Sequence, residues 1–286
     1  MGTGVAATIR PRTQSLEALV PAGQSFVAVS LVAFGIQQFL WGDFVPGRAL
    51  PWPEGVPGRL VWAYLSGAGL IATGAAILLA IAQPSTTVVR TARIAAVCIG
   101  AVILLRAGVR HLPAVAADAW LGGEWTRLGK ALMLFGGTLA VAGALPRSGG
   151  SHAGVARVSE ATEALIYTGR VCLGAFFILC GVQHFIWTEF VASLVPAWIP
   201  GPFFWTYFAG IALIAGGAGM LFPPTASLAA RLSALMVFLW VLMLHIPRAV
   251  TALEAASSQS EWMAVFEALA VSGIALAVAV LPSRGR

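Results

Sequence analysis

His111-Leu112-Pro113 and His245-Ile246-Pro247 stand 13 and 16 residues before two Glu-Trp pairs, Glu124-Trp125 and Glu261-Trp262. A histidine with a nearby carboxylate can hydrogen-bond a carbonyl and relay its proton close to neutral pH. A second polar group accompanies each of these. Gln37, Gln38, Trp41 and Asp43 lie within GIQQFLWGDFV (Gly35–Val45), and Gln183, His184, Trp187 and Glu189 lie within GVQHFIWTEFV (Gly181–Val191). Lys130 and Glu267 follow the two Glu-Trp pairs at the same distance, with opposite charge. Candidate proton carriers or ligand contacts are therefore His184, Glu189, His245, Glu261 and Glu267, with His111, Glu124 and Lys130 as their partners in the first half.

The elements that carry these residues occur twice. Six of the eleven positions of GIQQFLWGDFV are identical in GVQHFIWTEFV, 146 residues later. Trp62, Tyr64 and Gly67 return as Trp205, Tyr207 and Gly210, and Leu145-Pro146 as Leu281-Pro282. Self-similarity at a fixed offset is the signature of duplication. It divides the chain into a tail (1–21), a first repeat (22–146), a Gly/Ser-bearing polar linker (147–163), a second repeat (164–282) and a short tail (283–286).

The chain is 59% hydrophobic and 10% charged, with a mean hydropathy of +0.88, which excludes an ordinary soluble domain. Apolar runs of spanning length fall at about 22–41, 60–82, 128–145, 164–187, 203–222 and 263–281. Two shorter runs, 94–105 and 232–244, end at Arg106 and His245 and read as spans stopped by polar residues. The expectation is an all-α polytopic membrane protein of eight transmembrane helices, arranged as two parallel-repeat four-helix bundles. Ten of the 17 basic residues and three of the 11 acids then fall on the side that holds both termini. That side is expected to be cytoplasmic, in the cell membrane. Attraction to anionic lipid accounts for the basic balance without nucleic acid.

Under this topology the shared polar residues gather at the outer ends of the spans. An outer-leaflet pocket would be lined by Gln183, Trp187, Trp198, Trp205, Tyr207 and Trp262, with Gln37, Gln38, Trp41, Asp43, Trp62 and Tyr64 as first-repeat equivalents. Simpler readings exist for each: interfacial Trp and Tyr form belts, His-x-Pro can end a helix, and first-turn glutamates favour a helix dipole. Lys130 and Glu267 would either pair between the repeats or snorkel separately. Arg106 and Arg110 share a helix face, and Trp240 and Leu244 occupy their places in the second repeat. Should only one repeat be active, the richer titratable set points to the second as the site. No ligand spacing indicates a metal, and Cys98, Cys172 and Cys180 form no CxxC pair.

The G-[IV]-Q-[QH]-F-[LI]-W span end, the Trp-x-Tyr…Gly span, the His-[LI]-Pro and the Glu-Trp, in that order and twice over, resemble the DoxX/DoxD-like integral membrane family, whose members are commonly single four-helix units. The resemblance implies a helical bundle in the cytoplasmic membrane. For some relatives it implies thiol or sulfur-compound oxidation that passes electrons to quinone. The leading expectation is a quinone- or isoprenoid-interacting subunit of a membrane redox system, with lipids and a redox partner subunit as its associates. The alternatives are a non-enzymatic lipid-binding or scaffold protein and a small-solute transporter.

Overall fold

A computed structural model describes residues 19–44, 57–146, 160–252 and 258–279. The tail up to residue 18, Pro51-Trp52-Pro53, most of the linker (147–159) and residues 280–286 lie outside the described residues. Among the described residues every regular element is helical: α1 (Leu19–Trp41), α2 (Arg59–Ala82), α3 (Thr86–Ala117), α4 (Gly122–Ala144), α5 (Glu160–Ile186), a short α6 (Thr188–Ser193), α7 (Pro202–Leu221), α8 (Ala226–Thr251) and α9 (Ser258–Ala279). Seven of them are long and apolar enough to cross a membrane: α1, α2, α3, α5, α7, α8 and α9. α4 is of similar length, but Glu124, Arg127 and Lys130 lie in its first nine residues and lower its hydropathy.

Local signals set the helix ends. Ser85 caps α3, its hydroxyl oxygen accepting from the Val88 N–H at 3.3 Å. Pro202 opens α7, where a missing N–H costs nothing, just after Gly201 at φ 73°.

The His-x-Pro sequences do not end their helices, contrary to the expectation that the short runs stop at Arg106 and His245. α3 continues through Arg106, Arg110, His111 and Pro113 to Ala117. α8 continues to Thr251 by widening into a π-turn at Val241–His245, where the Ile246 N–H reaches back to the Val241 carbonyl. Proline removes one backbone bond, and a tight packing environment or a π-turn absorbs that loss without breaking the helix.

α9 forms the centre. Its spanning window is 72% buried, against 28% for α3, α7 and α8, whose outer faces are apolar and open. α9 packs against α1, α8, α4 and α5, while α4 packs against α3 and α5. Glycines bring these backbones together. A Cβ on Gly273 would lie 2.5 Å from the Gly23 carbonyl oxygen (α9 on α1), and one on Gly169 would lie 2.5 Å from that of Gly136 (α5 on α4). Approach this close favours dispersion contacts between helices, as small residues do inside membranes.

Candidate functional site

Six of the polar residues singled out by the sequence fall into three groups, all at the end of the bundle where α1 and α3 finish and α2 and α4 begin. In the first, His111 of α3 places Nδ1 2.6 Å from Glu124 Oε2 of α4, and both side chains are buried. Arg127, one turn along α4, binds the other oxygen of Glu124. With Nδ1–H donated to the carboxylate, Nε2 is left as the nitrogen available to a ligand.

In the second group the same acid has a different partner. Arg248 donates to Glu261 through Nη2 at 2.6 Å and Nε at 3.1 Å, and Nη1 donates to the Leu194 carbonyl at 2.8 Å. A bidentate fork of this kind is directional as well as strong. His245 sits within electrostatic reach of Lys130, Glu267, Arg248 and Glu261. The third group is the ion pair of Lys130 with Glu267, which joins α4 to α9. Of the two fates open to Lys130 and Glu267, the structure selects pairing.

Several other candidates serve the packing of the helices. Gln183 accepts from the Thr126 hydroxyl at 2.8 Å and donates to the Gly122 carbonyl at 3.0 Å, tying α5 to the start of α4. The Trp187 ring lies against Gly122, and the ring of Trp262 packs on the core. His184 Nδ1 meets the Cys180 carbonyl of its own helix at 2.7 Å. Tyr64 stacks on Phe39 at 5.0 Å, and Tyr207 lies at 5.8 Å from Phe185. Trp62, Trp198, Trp205 and Tyr207 are exposed on the outside of the bundle, where lipid or its headgroups would meet them. Asp43 forms a long ion pair with Arg59 at 3.7 Å, Trp41 is half-buried and Glu189 is exposed.

A cavity of about 130 Å³ opens in the first half of the chain. Phe34 and Gln38 of α1, Ser66 and Leu70 of α2, Ile99, Ile103, Arg106, Arg110 and His111 of α3, and Arg127, Lys130 and Leu134 of α4 line it, and α9 closes it with Met263 and Glu267. Gln38 is 1% exposed, and its Oε1 has no hydrogen-bond partner among the described residues. Buried polar atoms are seldom left so. Arg106 holds its guanidinium 4.9 Å over the Phe44 ring.

Two side chains that hold the paired acids escaped the sequence reading: Arg127 and Arg248. Each has a local signal. Arg127 stands three residues after Glu124, the spacing of neighbours on a helix face, and Arg248 stands three after His245. Among the described residues no three His, Cys, Asp or Glu side chains come together as metal ligands would.

A family model described as a domain of unknown function (DUF8561) matches residues 173–281, from the middle of α5 to just past α9. No curated protein and no solved structure matches the chain.

Proposed function

We propose that the chain is an eight-span protein of the cell membrane, built from two parallel four-helix repeats (22–146 and 164–282), and that it binds the polar head of a lipid-soluble ligand inside the first repeat. The repeat reading is supported by matching contacts at matching positions. Gly136 with Gly169 and Gly273 with Gly23 are the same pair of sites exchanged between the halves, and Lys130 and Glu267 are one site facing its own copy. The family match lies wholly within the second repeat. The eighth span is α4, which lies along α5 from Gly122 beside Gln183 to Gly143 beside Ile166.

The observation that carries the ligand reading is the cavity itself. It joins apolar walls, Phe34, Leu70, Ile103 and Leu134, to convergent polar groups, which is the make-up of small-molecule sites. Quinones and isoprenoids have that form, with a polar head on an apolar tail. His111, held by Glu124, is placed to hydrogen-bond such a head. A subunit of a quinone-linked system and a lipid-binding protein both require a cavity of this kind. A solute transporter requires polar sites near the midplane, whereas these groups gather at one end of the helices.

Mass spectrometry of the detergent-purified protein tests the reading. The wild type is expected to retain about one lipid-soluble molecule per chain, and Ser66→Phe and Ala107→Phe, which fill the cavity, are expected to release it without changing the elution profile. Equal retention by the filled variants, or no retained molecule in the wild type, would sink it.

A further inference from the structure

The cavity is strongly cationic. Arg106, Arg110, Arg127 and Lys130 line it, against the single lining carboxylate of Glu267. Glu267 is bound to Lys130, and Glu124, just behind the wall, is bound to Arg127 and His111. Arg106 meets no carboxylate within ion-pair distance among the described residues: Asp43 acts on it only from further off, and its guanidinium rests on the Phe44 ring. Arg110 stands one turn on along the same face of α3, and like charges at this spacing repel. Burying the Arg106 guanidinium in an apolar bundle is costly unless something of opposite charge repays its lost hydration.

The second half builds the same helices without Arg106 and Arg110. At the corresponding places of the second half stand Trp240 for Arg106, Leu244 for Arg110 and Ala264 for Arg127. Trp240 packs there against the core. At the places of Arg106 and Arg110 apolar residues thus do the structural task, whereas the role of Arg127 towards Glu124 passes to Arg248 towards Glu261; the two cations of α3 answer to something else.

We infer that the ligand head is a phosphate-bearing anion, seated between the guanidinium groups of Arg106 and Arg110 on α3 and the cations of Arg127 and Lys130 on α4. This rests on the reading that the cavity binds a lipid-soluble ligand, and it names the chemistry of the head. Guanidinium groups match phosphate oxygens two at a time, which an ammonium cannot do. A hydroxyl on the head, whether of a protonated phosphate or of a glycerol ester, would satisfy the orphaned Gln38 Oε1. The volume agrees. A cavity of ~150 Å³ holds one benzene, so about 130 Å³ takes a phosphate head while the tail lies outside it. The phosphate could belong to a membrane lipid, such as a phospholipid or an isoprenyl phosphate, or to a water-soluble ester.

Binding of four compounds to the purified full-length chain tests the inference: farnesyl phosphate, farnesol, inorganic phosphate and decylubiquinone. Farnesyl phosphate is expected to bind at least about 10-fold more tightly than farnesol, the worth of one or two charge-assisted hydrogen bonds. Arg106→Gln/Arg110→Gln should lose that advantage and Arg106→Lys/Arg110→Lys should recover part of it, while Arg231→Gln, outside the cavity, leaves it intact. Should the Gln pair fail to fold, the Lys pair, which keeps both charges and loses the forked donor geometry, still decides: a farnesyl phosphate advantage equal to that of the wild type in that variant overturns the inference. A requirement for the tail would assign a membrane lipid and support both readings; inorganic phosphate binding as tightly as farnesyl phosphate would keep the phosphate head and overturn the lipid-soluble ligand. Farnesol binding as well as farnesyl phosphate, or the Gln pair binding like wild type, overturns it. If decylubiquinone binds and no phosphate does, the anionic head is wrong and the ligand cavity stands. If none of the four binds, both readings fall.

Discussion

Lys130 of α4 and Glu267 of α9 form an ion pair across the two halves of the chain, and they occupy the same position in each half, 137 residues apart. Two helical turns further on, Gly137 makes room for Ile274 at the same offset. α4 and α9 therefore meet face to face through equivalent positions, once by charge and once by shape. With side chains only 17% and 15% exposed, neither ion is well hydrated without the other. Lys130→Met alone, or Glu267→Met alone, should therefore destabilise the bundle by about 3 kcal/mol or more, because each strands a charge. The double Met variant should recover most of that loss. Thermal unfolding in detergent measures it; a double variant as unstable as the sum of its singles would show that no pair energy is involved.

The shared register of that pair was legible in the sequence because both residues fall six positions after a Glu-Trp; whether they pair or snorkel separately was not, since that depends on which helix faces α4. The helical class and the membrane setting were legible too, from apolar runs that no soluble core would need. Continuation of α3 and α8 through Pro113 and Pro247 was not, since whether a proline ends a helix depends on the contacts around it. The location of the cavity was hidden for a similar reason. The sequence favoured the second half for its titratable residues, but there Trp240 packs into the core at the place where Arg106 borders open space in the first half. Volume left empty is a property of packing and has no residue of its own.

Glu124 is bound by two partners from two helices, His111 on α3 and Arg127 on α4. Its side chain is 8% exposed, whereas that of Arg127 is 29% exposed. Loss of the acid abandons both partners, while loss of Arg127 leaves Glu124 its histidine. Glu124→Ala should therefore destabilise the bundle more than Arg127→Ala, by about 3–5 kcal/mol for the acid and about 1 kcal/mol for the arginine. Paired unfolding curves decide the order, and the reverse order would show that His111 does not hold the carboxylate.

Gly273 and Gly23 allow α9 to lie on α1 with no side chain between them. A Cβ at Gly273 would stand 2.5 Å from a carbonyl oxygen and 2.8 Å from the Cβ of Phe26, so the helices must part to admit it. Gly273→Ala is expected to cost about 1–3 kcal/mol, the usual range for overpacking. Gly108→Ala is the control, since a Cβ at that position would meet nothing within 4 Å. On helix propensity alone both changes would stabilise, by about 0.8–1.0 kcal/mol. Similar effects from both would mean that α9 and α1 do not pack backbone against backbone.

Gly23 lies near the start of α1 and Gly273 near the end of α9, so their contact places the first and last helices with those ends together. On the eight-span reading proposed above, that pairing of helix ends predicts an even number of crossings between them, with α4 added to the seven apolar helices and its Glu124 and Lys130 held by His111 and Glu267. On the proposed topology the excess of basic residues on that side predicts that it faces the cytoplasm. In a chain whose three cysteines are replaced, Trp120→Cys, between α3 and α4 and 79% exposed, should react with an impermeant maleimide on intact cells. Ser148→Cys, in the linker sequence that follows α4, should react only after the membrane is opened. Labelling of both sites from outside would mean that α4 lies within one leaflet, and the two-repeat arrangement would fall with it.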